Sequence, residues 1–231
     1  MCPVPEDEVG GTTGSLTRSH DDEFGKSQKA TRSGKRWTVL ESGVTRSEQV
    51  RIFAKNFFKH PRMLGSLIPS SRFLIDEVLG GVDWSSVRVF VEYGPGVGSF
   101  TTEILRRMSP QASLIVFETN REFVELLRRK YDDPRLTIVH SSAGDVERIL
   151  SRMDLKRADC IISGIPFSTM PPEVRKSILD KTRAVINPGG QFIVYQFSAE
   201  VLSHLRSRFR VVKQDFELLN ILPARIFRCQ P

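Results

Sequence analysis

Cysteine is scarce in this chain. The three that occur, Cys2, Cys160 and Cys229, stand too far apart for metal-ligand or redox spacing, so a zinc-held or disulfide-stapled fold is excluded and a reducing compartment fits. Long apolar runs are lacking as well: none approaches the roughly 18 residues that span a bilayer, and the first twenty positions carry no hydrophobic secretory segment. The expectation is a soluble or peripheral protein. Apolar periodicity is missing from residues 1–43, where Gly, Ser, Thr and charge dominate, as in SHDDEFGKSQKATRSGKR. A segment that buries so little surface cannot offset its ordering entropy and reads as a mobile polar tail.

What remains is enough for one globular domain. Of 231 residues, 39% are hydrophobic and 26% charged, which supports a single sizeable core. Charge is unevenly spread. Residues 24–62 hold ten Lys or Arg against two Glu, a surplus that exceeds the net charge of +7 for the whole chain. An anion-seeking surface is therefore concentrated near the front.

Within that stretch, TRSEQVRIFAKNFFKHP begins with Thr45 and Glu48 at capping-box spacing and repeats Val50, Phe53, Ala54, Phe57 and Phe58 at helical intervals. Arg46, Arg51, Lys55 and Lys59 fall largely elsewhere on the wheel, and Pro61 ends the run. The pattern predicts a basic amphipathic helix over residues 46–60. Such a helix either covers the core with its charges in water or lies on an anionic membrane, phenylalanines in the acyl boundary and cations among the headgroups. IPSSRFLIDEVLGG predicts a second helix, capped by Ser70 or Ser71 and stopped by Gly80 and Gly81. The chain thus divides into a tail at 1–43, two helices within 44–83 and a main domain at 84–231.

From Arg88 onward RVFVEY, SLIVFE, RLTIVH, ADCIIS and GGQFIVYQF alternate with helical stretches such as FTTEILRRM and PPEVRKSILDKTRAVI. Alternation of this kind gives βαβ units, hence an α/β fold with a parallel sheet and helices on both faces. FRVVKQDFEL and ILPARIFRC then follow with no helix between them, which predicts an antiparallel hairpin at the sheet edge, where Pro223 is tolerated.

Ligands of such sheets bind beyond the carboxyl ends of the strands. The first strand leads into EYGPGVGSF, where Gly94, Gly96 and Gly98 permit a tight turn and a close approach of backbone to ligand. Neither the spacing nor the lysine of a phosphate-cradling loop is present, and the third glycine of a dinucleotide fingerprint would fall at Ser99. Glu118, twenty residues past Gly98, ends the second strand. A carboxylate there accepts hydrogen bonds from both hydroxyls of a ribose, so the expected ligand is a nucleoside.

VFVEYGPGVGSFTTEIL and IVFETN resemble the first two motifs of class I S-adenosylmethionine-dependent methyltransferases. Residues 57–229, about three quarters of the chain, are similar to the bacterial phospholipid N-methyltransferases, relatives of the rRNA adenine dimethylases. The resemblance implies a Rossmann-like, mostly parallel seven-stranded sheet with an antiparallel C-terminal hairpin. It also implies that Glu92, Gly94, Gly96 and Gly98 embrace the methionine part of S-adenosyl-L-methionine, and that Glu118 with Thr119 holds the ribose. Ser142 and Ala143 then lie beside the adenine, Ser70 and Ser71 belong to a helix closing over the cofactor, and Ser163 completes the cofactor set. Ser142 departs from the Asp that many relatives carry, which weakens the adenine contact; Asp145 is near.

The loop after the fourth strand, SGIPFST, faces the reacting methyl by the same resemblance. Adenine-specific relatives carry Asn or Asp, an apolar residue or Pro, then Pro and an aromatic residue; here the loop reads Gly164, Ile165, Pro166, Phe167. The amide that grips an exocyclic amine is absent. Phe167 keeps an aromatic face for stacking or for a cation–π contact with an ammonium product or the sulfonium. A lipid amine of pKa about 10 must also lose a proton before it can attack; His140, Tyr93, Tyr195 and Asp145 are candidates for accepting it only by their places at strand ends, where a structural hydrogen bond is the commoner role, and the expectation is that VYQFS presents Tyr195 and Gln196 to the acceptor.

The expected activity is methylation of phosphatidylethanolamine towards phosphatidylcholine, by an enzyme held peripherally on the cytoplasmic, inner face of a membrane, with phospholipid as substrate. An RNA adenine methyltransferase, its basic front tracking the phosphates of a nucleic acid, is the second reading, and a cofactor-binding protein without catalysis the third. If the 46–60 segment anchors the protein, replacing Phe53 and Phe57 with Ser impairs flotation with anionic liposomes and leaves cofactor affinity intact; unchanged flotation removes the anchor.

Overall fold

Four runs of β-branched and aromatic residues that are apolar on both faces make the parallel heart of the sheet. The computed structural model describes residues 72–217 and 224–231. The 1–43 tail, the 46–60 helix, Ser70, Ser71 and Pro223 lie outside the described residues. The described elements are α1 (Arg72–Gly80), β1 (Val89–Tyr93), α2 (Ser99–Arg107), β2 (Ser113–Glu118), α3 (Arg121–Lys130), β3 (Leu136–His140), α4 (Val146–Arg152), β4 (Ala158–Ser163), α5 (Pro172–Val185), β5 (Ile186–Gln196), α6 (Val201–Arg206), β6 (Val211–Glu217) and β7 (Ala224–Gln230).

The seven strands lie in the order β3-β2-β1-β4-β5-β7-β6. β1 to β5 are parallel, and β7 runs antiparallel to both β5 and β6. The expected Rossmann-like α/β architecture with a C-terminal hairpin is therefore present. Strand order reverses between β1 and β4, the place where such sheets open a crevice.

Side-chain alternation gives the sheet two cores. Tyr93, Phe117, Phe192 and Phe227 meet α4, α5 and α6 on one face, while Phe90, Leu114, Tyr195 and Ile226 meet α1, α2 and α3 on the other. The helical stretch expected to reach Ile186 stops at Val185, and β5 instead starts at Ile186, because Ile186 pairs with Ala158 before a register shift brings Gln191 opposite Cys160.

α1 is pinned by arginines from two directions. Arg228 of β7 donates to the carbonyls of Glu77 at 2.5 Å and Val78 at 3.0 Å, satisfying acceptors that a helix end leaves open. Arg107 pairs with Asp76, and Gln191, near the start of the regular β5 pairing, donates to Gly81 O. These contacts hold the second half of α1, from Asp76 to Gly81, against α2, β7 and the start of β5.

Candidate active site

A cavity of about 280 Å³ opens at the carboxyl ends of β1, β2, β3 and β4. Gly94 and Gly96 form one wall, Glu118 and Thr119 the second, Ser142 and Ala143 the third, and Ile165 and Pro166 the fourth. Eight of the residues singled out in the sequence thus meet around one space.

The glycine loop reaches this geometry through left-handed backbone. Gly94, Gly96 and Gly98 have φ of 70°, 55° and 82°. At Gly98, the residue before α2, a Cβ would also lie 2.5 Å from Tyr131 Oη and 2.9 Å from Leu127 Cδ2. Tyr131 instead donates to Gly98 O at 2.6 Å, so the floor of the loop is tied to the end of α3.

Glu118 is buried yet lines the cavity. Its Oε1 accepts from Asn120 N at 2.8 Å and its Oε2 from Gly96 N at 3.3 Å, which orients the carboxylate and links β2 to the glycine loop. Burial raises its pKa, opposed by those backbone N–H groups. Each oxygen keeps acceptor capacity, as two ribose hydroxyls require.

Glu92 sits beneath the loop and does not line the cavity. It is fully buried; its Oε2 accepts from Thr101 Oγ1 at 2.7 Å, and its Oε1 has no partner. Burial pushes its pKa up to about 8, the Thr101 hydroxyl pulls the other way, and the nearby Glu118 adds a smaller rise. A buried carboxyl oxygen without a partner is a costly arrangement that ordinary packing does not need.

The loop after β4 explains its own glycine. A Cβ on Gly164 would lie 2.6 Å from Tyr195 Cζ, because the phenol stands where a side chain at 164 would begin. Tyr195 is buried, stacked on Phe100 at 4.4 Å, and its hydroxyl is held well above its ordinary pKa by burial and by the charge of Glu92. Thus Gly164 does not merely lack an amide; its position has no room for one.

Several expected residues are placed differently. Phe167 offers no face to the cavity: its ring is wholly buried against Phe192, because the turn Phe167–Thr169 carries it into the core over α5 and β5. Ser163 is also buried, with Oγ unpartnered, and outside the lining. Among the proton-acceptor candidates, Tyr93 lies inside the opposite core with its hydroxyl on Thr182 at 3.2 Å, and burial raises its pKa. His140 is exposed and within 3.2 Å of Thr119 O. Asp145 is held low by Ser141 and then Arg148, so both of its oxygens are engaged.

Some lining residues escaped the sequence. Asn120 caps α3 and orients Glu118, and Ser141 follows β3; the strand-end rule would have found both. Met170, Pro171 and Ile178 close the side beyond Ala143, with no sequence signal beyond ordinary core patterning.

The Glu92 environment has a measurable consequence. Between its ordinary pKa of 4.5 and its folded value of about 8, the folded chain holds a proton that the unfolded chain has lost, so stability falls as pH rises through that window. Glu118 adds the same sign. Glu92→Gln, neutral at every pH, removes up to about 1.4 kcal/mol of this loss per pH unit. Urea unfolding on both sides of neutrality checks it; an unchanged slope refutes the assignment.

A family model described as a methyltransferase domain matches residues 90–190. The ornithine lipid N-methyltransferase of Singulisphaera acidiphila is 30% identical over 181 residues, which is 78% of this chain and 94% of that protein. The ribosomal RNA small subunit methyltransferase A of Mycoplasma mycoides is 27% identical over 111 residues, 47% of this chain but only 40% of that protein. Among solved structures, the 1,6-didemethyltoxoflavin-N1-methyltransferase of Burkholderia thailandensis superposes with a TM-score of 0.54 over 83% of this chain and 94% of its own, at 13% identity, which speaks to the fold alone. A relative matched over 94% of its own length, one matched over less than half of either chain, and a glycine loop facing a buried carboxylate at the strand ends agree on a single point: the chain belongs to the class I S-adenosylmethionine-dependent methyltransferases, with S-adenosylmethionine as its methyl donor.

Proposed function

We propose that this enzyme methylates the amine of a membrane lipid, phosphatidylethanolamine and its methylated forms, at the surface of an anionic membrane. The residues present suit the donor. Glu118 accepts from the ribose, Ser142 and Ala143 border the adenine, and the glycine loop gives the methionine end a backbone wall. Glu92, buried beneath that loop and outside the cavity lining, backs the same corner through Thr101. Bound there, the donor would supply a methyl group: an amine lone pair forms the new N–C bond as the C–S bond of the sulfonium breaks, and the neutral thioether leaves.

The observation that carries the lipid reading is the contact between Gly164 and Tyr195. A planar base held by its edge needs an amide or carboxylate at the first position of this loop, and the phenol fills that space. A tyrosine with a raised pKa stays protonated at neutral pH, so Tyr195 is no strong base. Its ring lies outside the cavity lining, so it shapes the Gly164 turn rather than touching the amine. Ile165 and Pro166 keep water from the neighbouring wall. The lipid relative supports the same reading by its length of match, and the surplus of cations in residues 24–62 suits an anionic surface.

Incubation with labelled S-adenosylmethionine and vesicles containing phosphatidylethanolamine, vesicles containing ornithine lipid, or total RNA separates the readings after solvent extraction. Label in the phosphatidylethanolamine arm is the expected result; label confined to ornithine lipid changes the substrate, and label confined to RNA overturns the proposal. For the donor site, Glu118→Ala removes two hydrogen bonds to a charged group and weakens S-adenosylhomocysteine binding by at least about tenfold. Wild-type affinity by titration calorimetry contradicts its ribose role.

A further inference from the structure

The exposed large apolar side chains among the described residues are Phe73, Val174 and Phe216, at 59%, 45% and 49% exposure. Single exposed hydrophobics are ordinary on a protein surface. Two of the three, Val174 and Phe216, belong to the end of the sheet where the cavity opens. Phe73 stands in the first turn of α1, the end remote from the residues that meet the start of β5. Val174 stands in the first turn of α5, directly after Met170 and Pro171 of the cavity wall, with Pro171 and Pro172 also exposed. Phe216 lies in the last paired rows of β6, whose direction matches β1 to β5 because β7 is antiparallel to both β5 and β6.

Cations accompany two of them. Arg225 lies over the Phe216 ring at 5.2 Å, and Arg72, next to Phe73, is almost fully exposed and only loosely paired with Asp76 at 3.9 Å. The chain outside the described residues joins next to Phe73 and Phe216. Residues up to 71, with the cationic surplus of 24–62, lead into the start of α1. The connection between β6 and β7, residues 218–223, reads LLNILP.

We propose that this carboxyl-end rim is the enzyme's lipid-facing surface, with Phe73, Val174 and Phe216 seated at the headgroup–acyl boundary of an anionic bilayer. The proposal rests on the lipid reading above and adds an orientation to it. A peripheral surface of this kind combines apolar side chains at the boundary with cations among the headgroups. Docked in this way, the cavity mouth faces the headgroups, so a lipid amine enters it while its acyl chains remain in the bilayer. Charge alone would also suit RNA, but exposed phenylalanine and valine suit an acyl boundary better than a phosphate backbone.

The test uses the full chain carrying Phe73→Ser, Val174→Ser and Phe216→Ser together, with vesicles of phosphatidylethanolamine and phosphatidylglycerol. Flotation is expected to weaken by at least about tenfold, since each apolar group withdrawn from the boundary lowers partition. S-adenosylhomocysteine affinity stays at the wild-type value, because none of the three touches the donor site. Methylation of a short-chain, monomeric ethanolamine phospholipid is retained, whereas methylation in vesicles falls. Wild-type flotation of the triple variant, with lipid labelling intact, overturns the rim and leaves the lipid activity standing. Equal losses on monomeric and vesicle lipid also overturn it, as they place the effect in the acceptor site. Conversion of a dimer to a monomer without change in flotation assigns the patch to a second copy and overturns it as well. A wild-type protein that labels RNA and no lipid ends both proposals. Phe216→Trp provides a separate readout: its emission is quenched by brominated acyl chains if the rim enters the bilayer, and unquenched emission refutes the contact.

Discussion

Four parallel strands that end level are the constraint on which the site depends. Tyr93 pairs with Phe117 on one side and with Ser163 on the other, and Glu118 pairs with His140, so the loops after β1, β2, β3 and β4 leave the sheet at nearly one height. Nothing in those loops is long enough to reach across a staggered edge. Register alone brings the glycine loop, the Glu118 carboxylate and the Gly164 turn to one space. Backbone bonds across the tips reinforce it, with Gly94 N donating to Phe117 O at 2.9 Å and Gly164 N to Tyr93 O at 3.0 Å.

Beneath that space the electrostatics are unusual for a packed core. Two carboxyl groups, Glu92 and Glu118, are both buried and both raised by burial, and they stand close enough to act on each other. They do different work. Glu118 is oriented by backbone N–H groups and open to the cavity, whereas Glu92 is anchored by one hydroxyl and otherwise idle. An apolar residue in place of the second would spare the core an unpartnered carboxyl oxygen.

Strand and helix identities were legible because apolar runs bounded by Gly, Pro and charge report the period of the backbone directly. SLIVFE and ADCIIS match β2 and β4 residue for residue. The glycine loop and Glu118 were legible for a related reason, since both sit directly after strands. α4 was not singled out: seven residues, VERILSR, are too few to display a period of their own. Phe167 misled because sequence gives a ring but not its direction, and the short turn that aims it inward depends on the Phe192 ring of a distant strand. Tyr195 was assigned near the acceptor from its strand end, but its contact with Gly164 joins β5 to the loop after β4 and has no local signature.

That contact couples two positions that a sequence presents as separate. With the phenol of residue 195 in place, any side chain larger than hydrogen at residue 164 collides with it, and without the phenol a glycine at 164 leaves a hole in the core. An amide side chain at residue 164 of this fold therefore requires a change at residue 195 as well. Either change made alone carries a penalty in folding before it confers any new choice of acceptor.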